Sequence, residues 1–219
     1  MAQSVFIATP TINGHVDARY TASLVDTTRL LAKVGTTYQL DFEIGNSIVS
    51  DARNCLVSRF LSSNCTDLLF IDSDLAWKSD DVIRLLSWNV PLVGAAYRRK
   101  VEKIDFGIKF GQQIQKIESL FKADRISTGF LRVRRDVFNL MIKKYPSLRL
   151  KTHGGKPADN LYAFFDNSIV DGAYVGEDFT FCDRWRNAGG DVLVDAEISL
   201  AHIGAHSYEG RLIDFLERK

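Results

Sequence analysis

This sequence predicts an α/β domain with a mixed, mainly parallel sheet flanked by helices. Two observations carry the prediction. Strand and helix patterns alternate three times over residues 1–100, and the strands there are short apolar runs that end abruptly in polar residues. Such runs suit strands covered on both faces, and strand–helix–strand crossovers in one sheet are parallel and right-handed. The 219 residues suffice for one domain with a substantial core, and no repeat, low-complexity tract or linker divides them. The pattern loses regularity after residue 100, so the domain is expected to have two halves, 1–100 and 101–219.

Val5–Ala8 reads as the first strand, stopped by Thr9-Pro10-Thr11 because proline withholds a ladder donor. A helix follows from about Ala18 to Val34, with Leu24, Leu31 and Val34 apolar and Gly35 as its stop. Thr37 to Ile44 alternates, putting Tyr38, Leu40, Phe42 and Ile44 on one face of a second strand. Ser50 and Asp51 offer caps for a helix to about Leu61, its core face carrying Leu56, Val57, Phe60 and Leu61. Leu68–Ile71 is the third strand, Ser79–Asp81 opens a short helix ending near Trp88, and Pro91–Tyr97 is the fourth strand. Ile104–Phe110 and Ile114–Phe121 suggest a hairpin turned at Gly111-Gln112-Gln113. Ser127–Val133 is a further strand and Asp136–Lys144 a short helix broken by Pro146. Lys151 to Val175 is polar, aromatic and without period, and so long an irregular stretch in a compact domain is more often a functional loop than a connection. Gly176-Glu177-Asp178 opens a helix with Phe181 and Trp185 on one side and Gly189-Gly190 at its end. Asp191–Ile198 is the last strand, followed by a loop holding His202 and His206 and a terminal helix from Arg211.

Composition excludes several classes. A formal charge of +1 argues against a general nucleic-acid binder. Cys55, Cys65 and Cys182 form an odd set with no CxxC pair, so neither a disulfide framework nor a structural zinc site is expected, and reduced thiols suggest a cytoplasmic protein. No apolar run reaches the ~20 residues of a membrane span, and no signal peptide is evident at the amino terminus.

The chemistry-bearing residues sit at strand ends and helix starts. Asp72, Ser73 and Asp74 follow the third strand, where ligands of open α/β sheets bind. Two carboxylates two residues apart repel unless a cation lies between them, and hard ions such as Mn2+ or Mg2+ bridge carboxylate to phosphate. The alternative is a loop in which Asp is a turn former or cap. Thr9-Pro10-Thr11 is either a plain turn or a place where backbone groups meet a ligand. Arg53, expected in the first turn of a helix, opposes the helix dipole unless it faces a phosphate or carboxylate. Glu177-Asp178 begins a helix, where acids complement the dipole, but a carboxylate at a loop–helix junction also suits a general base. His202 with two Asp from separate strand ends makes a reasonable Mn2+ ligand set.

In this order the features resemble the GT-A class of nucleotide-sugar glycosyltransferases, of a family-2-like kind, over nearly the whole chain. Phe70-Ile71-Asp72-Ser73-Asp74 is similar to the DxD motif, and Ser127-Thr128-Gly129-Phe130-Leu131 with Val137-Phe138 to the acceptor-side strand and helix. Gly176-Glu177-Asp178-Phe179 resembles the ED motif of inverting members, and Ala201-His202-Ile203-Gly204 the late metal histidine. The resemblance implies a single, Rossmann-like GT-A domain, its first half binding the nucleotide-sugar and its second the acceptor. It implies donor contacts from Thr9, Pro10, Thr11, Arg53, Asp72, Ser73 and Asp74, and a metal site of Asp72, Asp74 and His202, in which Asp74 and His202 bind the cation directly and Asp72 sits near the ribose and the metal. Acceptor contacts would come from Tyr97, Arg98, Gly129 and Phe130, with Arg99 and residues 151–175 as further sugar contacts or a lid. Trp77 is either a sugar platform or a core residue. Asp178 would be the base and Glu177 would orient it, for transfer of a hexose from a UDP- or GDP-sugar to a glycan or other hydroxyl acceptor.

Alternatives within and beyond the class remain. A retaining GT-A enzyme needs no such base, and a non-catalytic relative would bind nucleotide-sugar or glycan without turnover. A sugar-phosphate nucleotidyltransferase would carry a glycine-rich basic loop where Ala8-Thr9-Pro10-Thr11-Ile12-Asn13-Gly14 stands. A haloacid-dehalogenase-type phosphatase would have its DxD on the first strand, with Thr or Val where Ala76 stands.

Overall fold

The computed structural model describes residues 3–204 and 206–217. Its first half runs β1 (Ser4–Thr11), α1 (Ala18–Lys33), β2 (Thr37–Ile44), α2 (Val49–Ser62), β3 (Asp67–Ile71), β4 (Leu75–Ala76), α3 (Ser79–Ser87) and β5 (Leu92–Gly94). The second half carries β6 (Ile108–Lys109), β7 (Gln115–Ile117), β8 (Leu120–Ala123), β9 (Arg125–Ile126), β10 (Phe130–Arg134) and α4 (Arg135–Lys144). Two small hairpins follow a 3-10 turn: β11 (Thr152–His153) with β12 (Lys156–Pro157), and β13 (Ser168–Val170) with β14 (Ala173–Val175). The chain closes with α5 (Glu177–Asn187), β15 (Val192–Val194), β16 (Ser199–Ile203), β17 (Ser207–Arg211) and α6 (Leu212–Leu216).

The main sheet has the order β2-β1-β3-β10-β5-β15-β8-β7. β1 pairs in parallel with β2 and β3, but β10 enters antiparallel between β3 and β5, so the half expected to be purely parallel is split by a late strand. Successive residues of β1 and β3 go to opposite faces, and both faces are buried. Phe6, Ala8, Leu68 and Phe70 pack with Val57 and Phe60 of α2, Phe138 of α4 and Phe181 of α5. Val5, Ile7, Leu69 and Ile71 pack with Tyr20 and Leu31 of α1 and Leu85 of α3. The sheet is mixed and flanked by helices as expected, but not mainly parallel: three of its seven pairings are parallel and four antiparallel.

Several boundaries differ from expectation for physical reasons. β1 continues through Pro10, paired with Glu43 of the edge strand β2. Thr11 turns its carbonyl to Gly45 beyond β2, so the alternating Pro10 nitrogen faces the opposite side, where pairing with β3 has already ended at Ala8. α2 starts at Val49 without a side-chain cap, and Asp51 instead bonds Asn46 and His153. The hairpin expected around Gly111 turns at Glu118-Ser119 between β7 and β8, while β6 pairs with β9. Asp191–Ile198 divides, because only Val192–Val194 reaches the main sheet, and His202 lies in β16 rather than a loop, paired with β17 and β4.

A buried charge stands within this sheet. Arg132 of β10 is almost fully enclosed, donates to the carbonyls of Val90 (2.6 Å), Leu85 (3.2 Å) and Trp88 (2.5 Å), and lies 3.3 Å from Asp67. Breaking a buried pair from one side leaves the other charge uncompensated at a cost of about 3–5 kcal/mol. Arg132→Met should therefore lower the unfolding free energy by an amount on that scale, read as a lower urea midpoint at an unchanged denaturant slope.

Candidate active site

β3 delivers its two carboxylates to different partners. Asp72 lies one residue past the strand, its backbone N–H bonded to the Gly129 carbonyl (2.9 Å). Its Oδ1 accepts from Arg53 Nη2 (3.2 Å) and its Oδ2 from the Tyr97 hydroxyl (3.2 Å). A Cβ on Gly129 would lie 2.5 Å from the Tyr97 hydroxyl and closer still to Asp72, so only glycine permits this approach. Arg53 comes from the second turn of α2 and is buried, with Phe70 beneath it and Glu177 Oε1 3.6 Å from its Nε. Burial alone would lower the Arg53 pKa; the Asp72 and Glu177 carboxylates outweigh it and hold the guanidinium charged.

Asp74 faces the other way. Its Oδ2 lies 2.6 Å from Lys100 Nζ and 3.4 Å from His202 Nε2. β16 sets this distance, because His202 pairs with Leu75 of β4 and the Ile203 N–H donates to the Asp74 carbonyl (2.8 Å). His202 Nδ1 is 2.9 Å from the Arg98 carbonyl. A carbonyl only accepts, so Nδ1 carries a proton; Nε2 donates to Asp74 when the ring is protonated, and offers its lone pair to an ion in that place when it is neutral. Burial raises the Asp74 pKa, but bonds to His202 and Lys100 prevail and hold it below the usual range. An imidazole lone pair and a carboxylate oxygen at this separation fit a divalent cation between them. Asp72 lines the same small cavity as Asp74, each of its oxygens accepting one hydrogen bond, from Arg53 and from Tyr97.

The helix-start acids also divide. Glu177 shares Arg53 with Asp72, whereas Asp178 is bonded only to the next backbone N–H, that of Phe179 (2.7 Å). Burial first, and then the Glu177 charge, push the Asp178 pKa up to about 6. Asp178, His202, Tyr97, Arg99 and Lys100 line a cleft of about 750 Å³. Pro10, Thr11, Arg53, Asp72, Ser73 and Asp74 line a smaller cavity of about 240 Å³. The β3 exit thus separates two spaces.

Other expected contacts lie elsewhere. Thr9 is buried and bonded to the Tyr20 hydroxyl (2.5 Å), because it alternates with Pro10 along β1. Phe130 is a core residue beside Trp77, and Trp77 itself packs on Tyr20 and donates to Thr27. The Arg98 side chain turns from the cleft to the Glu102 carbonyl and the Tyr208 ring, leaving only its own carbonyl, on His202, at the site. Lys100 was not anticipated; a lysine after an Arg-Arg pair carries no sequence signal for contact with Asp74.

Comparison with protein-family models found no match, and neither did comparison with curated proteins. Among solved structures the chain is similar to A197 from STIV, with a TM-score of 0.54 at 14% identity over 92% of this chain and 86% of that one. It is also similar to the catalytic domain of Drosophila beta1,4-galactosyltransferase 7 in complex with xylobiose, with a TM-score of 0.52 at 15% identity over 100% and 74% of the two chains. A mutant of that enzyme complexed with manganese, UDP-Gal and xylobiose gives a TM-score of 0.50 at 14% identity, with the same coverage. These likenesses define the fold as that of GT-A glycosyltransferases. No helix among the described residues is long and apolar enough to cross a membrane.

Because folding raises the Asp178 pKa from the usual 3.8 to about 6, its contribution to stability is fully present below pH 3.8 and is lost as pH rises through 6. Asp178→Asn should match the parent near pH 4 and exceed it by up to ~2–3 kcal/mol above pH 6, a gap read from urea melts across pH.

Proposed function

We propose that the chain is a glycosyltransferase that moves a hexose from a UDP- or GDP-sugar to an acceptor hydroxyl with inversion, with Mn2+ or Mg2+ held by Asp74 and His202. The observation that carries this reading is the Asp74–His202 pair at the boundary of two cavities, with the raised carboxyl of Asp178 in the wall of the larger. The fold it shares with an enzyme crystallised with manganese and UDP-Gal supports the same reading. The halves divide accordingly, residues 1–100 holding the donor and residues 101–219 the acceptor and the base.

On this reading the smaller cavity, with Pro10, Thr11 and Ser73 in its wall, receives the nucleoside, and the cleft receives the acceptor. A bound divalent ion would supply Lewis-acid neutralisation of the diphosphate. Tyr97 and Arg53 fix Asp72, and Glu177 holds the start of α5 against Arg53. Asp178 takes the proton from the acceptor hydroxyl as its oxygen forms a bond to the anomeric carbon. The bond from that carbon to the phosphate oxygen breaks, and its electron pair leaves with the nucleoside diphosphate. A base with a pKa near 6 is ionised at neutral pH yet still basic enough for this transfer. Transfer should therefore rise with pH through about 6.

Calorimetric titration of UDP-, GDP- and dTDP-sugars, each with Mn2+ and with chelator, tests the reading. One nucleotide class should bind, and only with the ion. Asp74→Ala should abolish that binding, whereas Asp178→Asn should keep it and slow transfer by about 100-fold or more. Equal donor affinity in the parent and Asp74→Ala with Mn2+ present would overturn the metal assignment. Lys100→Met frees the Asp74 carboxylate and should tighten Mn2+ binding without donor, measured by the same calorimetry.

A further inference from the structure

Away from the cleft, α2 presents Asp51 and Cys55 one turn apart, and His153 of β11 reaches across to both. His153 Nε2 lies 3.0 and 2.8 Å from the two Asp51 oxygens and 3.9 Å from Cys55 Sγ. The three ligand atoms lie within 4.8 Å of one another, the one such trio of His, Cys, Asp or Glu among the described residues. Asn46 donates to Asp51 Oδ2 (2.7 Å) and orients the carboxylate, as outer partners of metal ligands do.

A nucleophilic relay is a poor description of this group. In a thiol–imidazole–carboxylate relay the ring uses one nitrogen for the nucleophile and the other for the acid. Here the same nitrogen faces both, so the donors converge on a point. The Cys55 thiol is also pushed up to about 11, by burial and then by Asp51, the reverse of an activated nucleophile. Convergent sulfur, nitrogen and oxygen donors instead suit a borderline ion. Tetrahedral Zn2+ at about 2.0–2.3 Å from each donor sets donor–donor spacings of roughly 3.3–3.6 Å, and the observed contacts bracket that range.

We propose that Asp51, Cys55 and His153 bind one Zn2+ ion, or a divalent ion of like chemistry, with water in the fourth position. Binding converts the Cys55 thiol to a thiolate and releases its proton to solvent. The ion pins the hairpin of β11 and β12 to α2, at the helix whose Val49, Ala52 and Arg53 line the smaller cavity. Beyond the hairpin, α2 is tied to the following segment by Ser58 Oγ to the Asp159 carbonyl (3.3 Å) and by Asn54 to the Phe165 backbone (2.8 and 2.9 Å). This contradicts the expectation of no zinc site from spacing alone. The ligands come from positions 98 and 102 residues apart, so no local motif marks them.

Titration of the chelator-treated full chain with Co2+ tests the site independently of transfer or donor binding. One equivalent should develop a sulfur-to-cobalt charge-transfer band in the near ultraviolet, and Zn2+ should abolish it by displacement. Cys65 and Cys182 are buried in the core, so the band reports on Cys55. It should vanish in Cys55→Ser, require at least about tenfold more Co2+ in His153→Ala, and persist in Asp74→Ala. Hydrogen exchange over residues 152–157 should slow on Zn2+ addition in the parent but not in Cys55→Ser. Absence of the band at saturating Co2+ in the parent, or its survival in Cys55→Ser, would overturn the proposal.

Discussion

Arg53 carries its guanidinium into an interior that holds no charge cheaply, and the two carboxylates beside it meet part of that cost, with its Nε and Nη1 lacking a hydrogen-bond partner among the described residues. Burying a cation without partners costs several kcal/mol, and Arg53 has two, Asp72 from the end of β3 and Glu177 from the start of α5. Three elements from distant parts of the chain are thereby fixed to one another. The same pairing decides what the remaining acids can do. In each of the two acid pairs, Asp72 with Asp74 and Glu177 with Asp178, one carboxylate serves Arg53. The other is turned toward open space, and its titration behaviour follows from what it meets there. Asp74 meets Lys100 and His202 and is held low; Asp178 meets burial and the Glu177 charge and is held high.

The insertion of β10 makes this arrangement possible. Its approach brings the Gly129 carbonyl onto the Asp72 N–H and places a residue without a side chain against Tyr97. It also separates β3 from β5, so the two chain exits at Asp72 and Ala95 splay to either side of the inserted strand. Ligands of open α/β sheets bind in such crevices beyond the strand ends. β16 then crosses the opening from the far side and sets His202 beside Asp74.

How far the sequence discloses this depends on whether a residue's partners are local. β2 and α1 are legible almost to the residue because apolar period and the Gly35 stop are local signals. β6, β9 and β15 are strands of two or three residues whose pairing is long-range, and a period of two cannot be read from so few; β16, though five residues long, pairs only with β4 and β17 outside the main sheet. At the site, Asp72, Asp74, Glu177 and Asp178 stand out as acids at element boundaries. Motifs name neighbours together, however, and a strand sends neighbours to opposite faces, which is why Phe130 and Thr9 fall in the interior. Arg98 fails for a related reason, since only its carbonyl is directed at His202. Lys100, and the Asp51–Cys55–His153 group, exist only once separate elements are brought together.

Lys100 bears on how the proposed site would handle charge. Its pair with Asp74 is partly exposed on both sides, and such pairs are worth about 0–1 kcal/mol, so the ammonium holds Asp74 weakly. With Asp178 ionised, the four carboxylates of the two pairs exceed Arg53 and Lys100 by two charges, a deficit that one divalent cation matches. A nucleoside diphosphate arriving with that ion adds negative charge of its own. Lys100 released from Asp74 stays on the wall of the cleft and is free to meet it. In the proposed site one side chain would thus serve first as a placeholder on Asp74 and then as a counter-ion for the donor, which would couple ion entry to donor binding.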